Sequence, residues 1–286
     1  MGILIIGGPT AAGKSDAALA IAEQYDARIV SADAMTVYRL MDIGTAKPDP
    51  EILNRYPHDC INVRDPDGEF TVGDFVDAVE AAQCAHKNVV IVGGTPFYLA
   101  ALVRPHAPLP VRDPALREEL EALSDPYVRL VEVDPEIAHR LHPNDRVRII
   151  RALEVFTLTG SPMSEVQRRP PVRPPIEAEV VWLDRDGLRA RIDERLARMM
   201  SSGYRAEAEG LLGAGWGRDL KPMRSFAYRH IVSNILDNLD IEEAIRLTAR
   251  DTWRLARKQR SWARTMGWKP GTEDALAGAA ERAFSR

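Results

Sequence analysis

Gly8-Pro9-Thr10-Ala11-Ala12-Gly13-Lys14-Ser15 places two glycines, a lysine and a hydroxyl at the spacing G-x-x-x-x-G-K-[ST]. Glycines let such a loop turn successive backbone N–H groups inward, where they cradle an anion. The lysine adds a point charge, the following helix N-terminus adds its partial positive charge, and the serine hydroxyl can hold Mg²⁺. The pattern predicts a site for a di- or triphosphate. Enzymes that hydrolyse nucleotides with this loop normally end a later strand in an Asp that positions Mg²⁺ and water. Here Val89-Val90-Ile91-Val92 runs into Gly93-Gly94-Thr95, with no acid. That speaks against nucleotide hydrolysis and fits a turn that lets a substrate approach the backbone and offers it a hydroxyl. Asp33, in Ser31-Ala32-Asp33, follows another apolar run. A carboxylate there can be a general base, a metal-linked group or a cap on the next segment.

Chemistry from these three places requires strands that end side by side. Ile3–Gly7, Arg28–Ser31 and Asn88–Val92 read as short strands apolar on both faces, and Lys14–Tyr25 reads as a helix between the first two. Strands of this kind form a parallel sheet covered on both sides. The expected fold is α/β, a P-loop NTPase-like parallel sheet core with helices on both faces and an inserted helical domain. Pro105, Pro108, Pro110 and Pro114 mark the start of the insertion. Helices follow at Arg117–Leu123, Pro135–Leu141 and 144–160, and the Arg- and Pro-rich stretch 168–175 reads as a hinge. Glu179–Leu183 is then a strand rejoining the sheet, and Ile241–Thr265 the longest helix. The expected division is a core of 1–107 with 176–286 and a helical insertion of 108–175.

The 286 residues are 45% hydrophobic and 28% charged, which excludes a disordered chain. No apolar run reaches the roughly 18 residues of a membrane helix. Cys60 and Cys84 lack Cys-x-x-Cys spacing, and His58, His106, His139, His142 and His230 lack ligand spacing, so no zinc or disulfide framework is expected. With no basic leader before the first strand, a cytoplasmic location is expected. Net charge is −4, but its distribution is uneven. Residues 1–100 carry seven Lys and Arg against fourteen acids, whereas 139–173 carries seven Arg against three acids and 246–269 eight Lys and Arg against Asp251 alone. Such clusters suit a polyanion partner, although a solvated or internally paired helix face gives the same pattern. Arg250, Arg254 and Arg257 form one such stripe at helical spacing, while Trp253 and Trp262 read as core.

Taken together in order, these stretches resemble the bacterial tRNA dimethylallyltransferase family, which prenylates N6 of the adenosine 3′ of the anticodon (position 37). The resemblance is carried by Gly8–Ser15; Ser31-Ala32-Asp33 through Met41-Asp42-Ile43-Gly44-Thr45-Ala46-Lys47-Pro48; and Gly93-Gly94-Thr95 with Tyr98. It continues through His142-Pro143-Asn144-Asp145-Arg146, Arg148, Arg151-Ala152-Leu153-Glu154-Val155, Met223-Arg224, Tyr228-Arg229, and Arg250-Asp251-Thr252 to Arg257-Lys258-Gln259-Arg260, Trp262 and Arg264. The resemblance implies dimethylallyl diphosphate as donor, with its pyrophosphate held by Gly8, Pro9, Thr10, Ala11, Ala12, Gly13, Lys14, Ser15 and Arg224. It implies Mg²⁺ at Ser15, Asp33 as the base for the adenine amine, and Thr95 beside the reacting centre. It further implies contacts to the tRNA anticodon stem-loop from Asp33, Ala34, Met35, Thr36 and Thr95, and from Arg117, Val147, Arg148, Ile149, Ile150 and Arg151 in a mobile helical insertion. A monomer without membrane association is expected. Asp33-Ala34-Met35-Thr36 stands where the family has Asp-Ser-x-Gln, Pro96 and Ala227 where it has Gly, and Val147 where it has Gln. Thr36 and Val147 cannot make an amide's paired hydrogen bonds, so base recognition is expected to differ.

The residues alone leave three other readings open. A small-molecule kinase would use the same loop, but lacks need for two Arg-rich segments. A prenyltransferase acting on free adenine nucleotides would not need the insertion. A tRNA-binding protein that has lost catalysis is kept open by the departures at Ala34, Thr36 and Val147.

Overall fold

The computed structural model describes residues 2–104, 107, 109–171 and 173–285. Pro105, Pro108 and His106, and Val172 of the hinge stretch, lie outside the described residues. The chain packs as two compact units, Met1–Val103 with Ile176–Arg286, and Arg104–Pro175.

The first unit is built on strands β1 (Gly2–Gly7), β2 (Arg28–Ser31), β3 (His58–Asp59), β4 (Asn88–Gly93), β5 (Glu179–Leu183) and β6 (Pro270–Gly271). They form one sheet in the order β3-β2-β4-β1-β5-β6, and every pair is parallel. The expected α/β fold is therefore present. β1 and β4 lie at the centre because β1 is buried along its whole length and β4 from Val89 onward, and they pair in register from Gly2↔Asn88 to Gly7↔Gly93. Alternate side chains serve opposite faces. Ile3, Ile5, Val89 and Ile91 pack one way with α3 (Val72–Ala85) and α4 (Pro96–Val103), together with side chains of α10 (Leu188–Ser201), α11 (Tyr204–Gly213), α12 (Arg229–Leu236) and α13 (Ile241–Thr265). Leu4, Ile6, Val90 and Val92 pack the other way with α1 (Lys14–Tyr25) and α14 (Glu273–Phe284). A short helix, α2 (Pro50–Arg55), precedes β3. Among the described residues no helix is long and apolar enough to cross a membrane. Ile176 N donates to Leu102 O (2.8 Å), so the chain leaves and re-enters this unit at adjoining points.

The second unit holds α5 (Pro114–Glu121), α6 (Pro126–Val133), α7 (Pro135–Arg140), α8 (Arg146–Thr159) and α9 (Met163–Val166). Asp113, Asp125 and Asp134 each cap a helix that has Pro in its first turn. A proline there loses only an N–H that has no intrahelical partner. This explains why α5 begins at Pro114, three residues before the apolar pattern suggests, and why α6 escapes a reading based on periodicity. Glu154 on α8 is fully buried. Its carboxylate accepts from Asp113 N (2.8 Å) and Arg151 Nη1 (2.6 Å), with Arg117 Nη1 at 3.8 Å. Removing one side of a buried pair strands the other charge. Glu154→Leu is therefore expected to destabilise this unit by about 3–5 kcal/mol, read as a lower urea midpoint at unchanged slope.

Candidate active site

The P-loop joins β1 to α1. Gly13 (φ 86°) caps α1 in the left-handed region, and Ala11 (φ 64°) shares that region. Alternation of this kind makes the inward nest of N–H groups. At Gly8 a Cβ would lie 2.3 Å from Leu183 O, so β5 passes only because that side chain is missing. Lys14 Nζ donates to Pro9 O (2.8 Å). Desolvation lowers its ammonium from the usual lysine value to about 8; the Asp33 charge opposes this shift and the Arg195 charge adds to it.

Gln259, only 5% exposed on α13, fixes this loop to the turn after β4. Its Oε1 accepts from Thr10 N (2.9 Å) and its Nε2 donates to Gly94 O (2.7 Å). A Cβ on Gly94 would lie 2.5 Å from that Nε2, and one on Gly93 would lie 2.2 Å from Ala32 O. The two glycines are thus required by the approach of neighbouring chain. Thr95 joins the same turn to the loop after β2: its N donates to Ala32 O (3.1 Å) and its Oγ1 accepts from Ala34 N (3.0 Å).

Lys14, Ser15, Asp33, Met35, Thr36, Gly93 and Gly94 come together on one cavity wall. Asp33 Oδ1 accepts from Met35 N (2.8 Å). It caps a turn rather than a helix, and its Oδ2 accepts no hydrogen bond among the described residues. The capping and cavity readings of this carboxylate are therefore compatible. Thr36 Oγ1 lies 3.0 Å from Ser31 Oγ, so its hydroxyl is already engaged.

The facing wall was not legible in the sequence. Ile192, Arg195, Leu196 and Met199 lie on one face of α10, and Tyr204, Phe226, Ala227 and Leu255 extend the apolar surface. The buried Tyr204 hydroxyl has no hydrogen-bond partner among the described residues. Arg191 Nε donates to Ala11 O (2.8 Å) and Arg195 Nη1 to Thr10 Oγ1 (3.4 Å). The Met41–Pro48 segment is held by Glu207, which accepts from the N–H groups of Asp42 (2.7 Å), Ile43 (2.7 Å) and Gly44 (2.9 Å) and from the Tyr228 hydroxyl (2.6 Å). The alternation of Arg195 with apolar residues at helical spacing was the only signal available for α10, and it equally describes a core helix.

Several expected residues fall elsewhere. Arg224 is exposed and is not on the cavity wall, although Phe226 and Ala227 in the same turn are. Thr95 does not line the cavity, whereas the preceding Gly93 and Gly94 do. In the helical unit Val147 (69% exposed) and Arg148 face outward, the latter paired with Asp145 at 3.1 Å. Ile149 and Ile150, expected among the RNA contacts, are buried: the apolar face of α8 turns their side chains into the core of the unit. Arg117 and Arg151 point to Glu154, a commitment set by that buried charge.

The cavity combines a cationic, N–H-rich end with an apolar wall and a carboxylate. It suits a ligand with an anionic head and a small apolar tail, next to a group that can accept a proton. No group of three His, Cys, Asp or Glu able to hold a metal occurs among the described residues. Mg²⁺ is content with few protein oxygens when substrate phosphates and water supply the rest, and Ser15, exposed on the wall, fits that role.

Residues 36–266 match the IPP transferase family. A tRNA dimethylallyltransferase of Geobacter sulfurreducens is 42% identical over 278 residues, covering 92% of this chain and 88% of its own length. The tRNA dimethylallyltransferase 1 of Citrifermentans bemidjiense is 41% identical over 269 residues, covering 91% and 88%. Among solved structures, the tRNA isopentenylpyrophosphate transferase of Bacillus halodurans aligns with a TM-score of 0.65 at 30% identity, covering 99% of this chain and 98% of that one.

Lys14 provides a pH test of the anionic head. In the free protein it carries its charge below about pH 8 and loses it above. A bound anion favours the charged form, and an alkyl diphosphate has lost its own last acidic proton by roughly pH 7. Affinity for such a ligand is therefore expected to hold steady up to about pH 8 and then to fall by up to about tenfold per pH unit. Calorimetric titration across this range checks it.

Proposed function

The chain belongs to the IPP transferase family, and from that premise we propose that it transfers a dimethylallyl group from dimethylallyl diphosphate to N6 of the adenosine 3′ of the anticodon, position 37, in tRNA. The observation that carries this reading is one cavity in which the P-loop, an apolar wall and Asp33 meet, while β4 ends in glycines instead of an acid. The P-loop N–H groups, Lys14 and the α1 N-terminus hold the diphosphate, with the dimethylallyl group against Ile192, Leu196, Met199 and Phe226. Arg224, off the cavity wall in the turn that carries Phe226 and Ala227, meets the diphosphate only by turning its side chain inward. Ser15 would hold Mg²⁺ together with the diphosphate, and the ion would supply charge neutralisation on the leaving group.

Adenine N6 is a weak nucleophile because its lone pair is delocalised into the ring. The base must also be taken out of the stack before its amine can reach a buried site. As N6 bonds to the allylic C1, the C1–O bond breaks and its electron pair goes to the diphosphate. Asp33 accepts the proton released from N6. Charge developing on diphosphate oxygens is what a fixed array of cations and N–H donors stabilises best, so leaving-group stabilisation is the larger contribution. Thr95 sets the loop that carries Asp33. Arg148 and Val147 are among the outward-facing residues of the second unit and meet the RNA, and the protein acts as a cytoplasmic monomer.

Incubation with dimethylallyl diphosphate, Mg²⁺ and either an anticodon stem-loop with adenosine 3′ of the anticodon or AMP tests the reading. Mass spectrometry is expected to show one C5H8 added to the stem-loop and none to AMP; modified AMP alone would move the acceptor to free nucleotides. Asp33→Asn keeps an acceptor for Met35 N and so keeps the turn. It is expected to lower kcat by about 10²–10⁴ while RNA and pyrophosphate affinities stay within about threefold; unchanged turnover would remove Asp33 as the base.

A further inference from the structure

The arginines of this chain are mostly neutralised. Arg28, Arg55, Arg151, Arg229 and Arg260, for example, each have a carboxylate within 2.7 Å or less. Arg195 departs from this pattern. Among the described residues it has no carboxylate within ion-pair distance, although α10 carries it onto the wall of the P-loop cavity. Its one hydrogen bond is the long contact from Nη1 to Thr10 Oγ1 (3.4 Å). Two cations, Lys14 and Arg195, thus share a cavity with a single carboxylate, Asp33. Arg195 is half-buried, and a charge partly withdrawn from water and left unpaired costs free energy that an anionic ligand would recover.

The two cations also differ in kind. Lys14 is a point charge whose Nζ is already turned onto Pro9 O. A guanidinium is a planar fork that meets two oxygens of a phosphate at once. We propose that Arg195 is a catalytic residue that binds the diphosphate from outside the P-loop, its fork on non-bridging oxygens across from Lys14. This rests on the diphosphate reading given above and adds a residue to it. When the C1–O bond breaks, its electron pair passes to the diphosphate and the N6 proton passes to Asp33. Arg195 holds the charge that accumulates on the departing group, which the substrate carries less of before the bond breaks.

Arg195→Gln and Arg195→Lys, with Lys14→Ala as reference, test the inference through pyrophosphate titration, melting temperature and steady-state kinetics with the stem-loop. Arg195→Gln is expected to weaken pyrophosphate at least about tenfold and to lower kcat by about 10²–10³. Arg195→Lys should recover much of the affinity but little of kcat, because it restores the charge without the fork. Since the cation is uncompensated in the free protein, Arg195→Gln should melt at or above the wild-type temperature and lose most of the pyrophosphate-induced rise. A purely structural arginine would instead give a lower melting temperature with affinity and kcat kept. Wild-type pyrophosphate affinity in Arg195→Gln, with affinity lost in Lys14→Ala, overturns the inference and leaves the diphosphate reading in place. Undiminished affinity in Lys14→Ala overturns both.

Discussion

The buried amide of Gln259 accepts a hydrogen bond from Thr10 N and donates one to Gly94 O. It thereby joins the turns that follow β1 and β4, the two central strands. Other contacts tie each turn to a different neighbour, Thr95 to the loop after β2 and Arg191 to Ala11 O, but the Gln259 amide links the two turns to each other. An amide can do this because it offers a donor and an acceptor on one rigid plane. Glutamate at 259 would present two acceptors and repel Gly94 O. Around this contact the remaining geometry becomes obligatory: Gly93 must be small for Ala32 to pass, Gly94 for Gln259 itself, and Gly8 for Leu183. The site is thus a set of backbone segments held closer than side chains permit.

Carboxylates are divided between two tasks. Glu207 and Glu154 are consumed as anchors, the first by three backbone N–H groups and a phenol, the second by a backbone N–H and an arginine. Asp184 and Asp251 are likewise saturated by arginines. Burial alone would raise the Asp251 carboxyl, but His230, Arg229 and Arg250 hold it below the usual range. Asp33 is used differently, with one oxygen on Met35 N and the other oxygen free of hydrogen bonds within the described protein. That incomplete satisfaction suits it to proton transfer, whereas complete satisfaction makes the others structural.

The arginine clusters divide in the same way. In 246–269, Arg246 pairs with Glu243, Arg250 and Arg254 with Asp251, and Arg260 with Asp184. The stripe read from helical spacing is therefore largely an internal network. Trp262 packs with Trp182 and Trp268 as expected of a core side chain, while Trp253 is half-buried beside Ala12, Leu188 and Ile192.

Sequence by itself determined what is local. Continuous apolar runs specified β1, β2, β4 and β5 almost to the residue, and the glycine-lysine-serine spacing specified the anion loop, because both patterns act through near neighbours along the chain. The acids and prolines that start α5 and α6 were visible as residues, but their capping role became clear only with the helices in place. Tertiary structure alone decided which polar groups are spent and which are left over. Arg117 and Arg151, expected as RNA contacts, are held by Glu154, and nothing in the spacing along α10 distinguishes Arg195, which lines the P-loop cavity, from the other arginines of that helix. The physical reason is that charge compensation is a matter of distances of a few ångströms between segments far apart in sequence, and spacing along one chain carries no record of them.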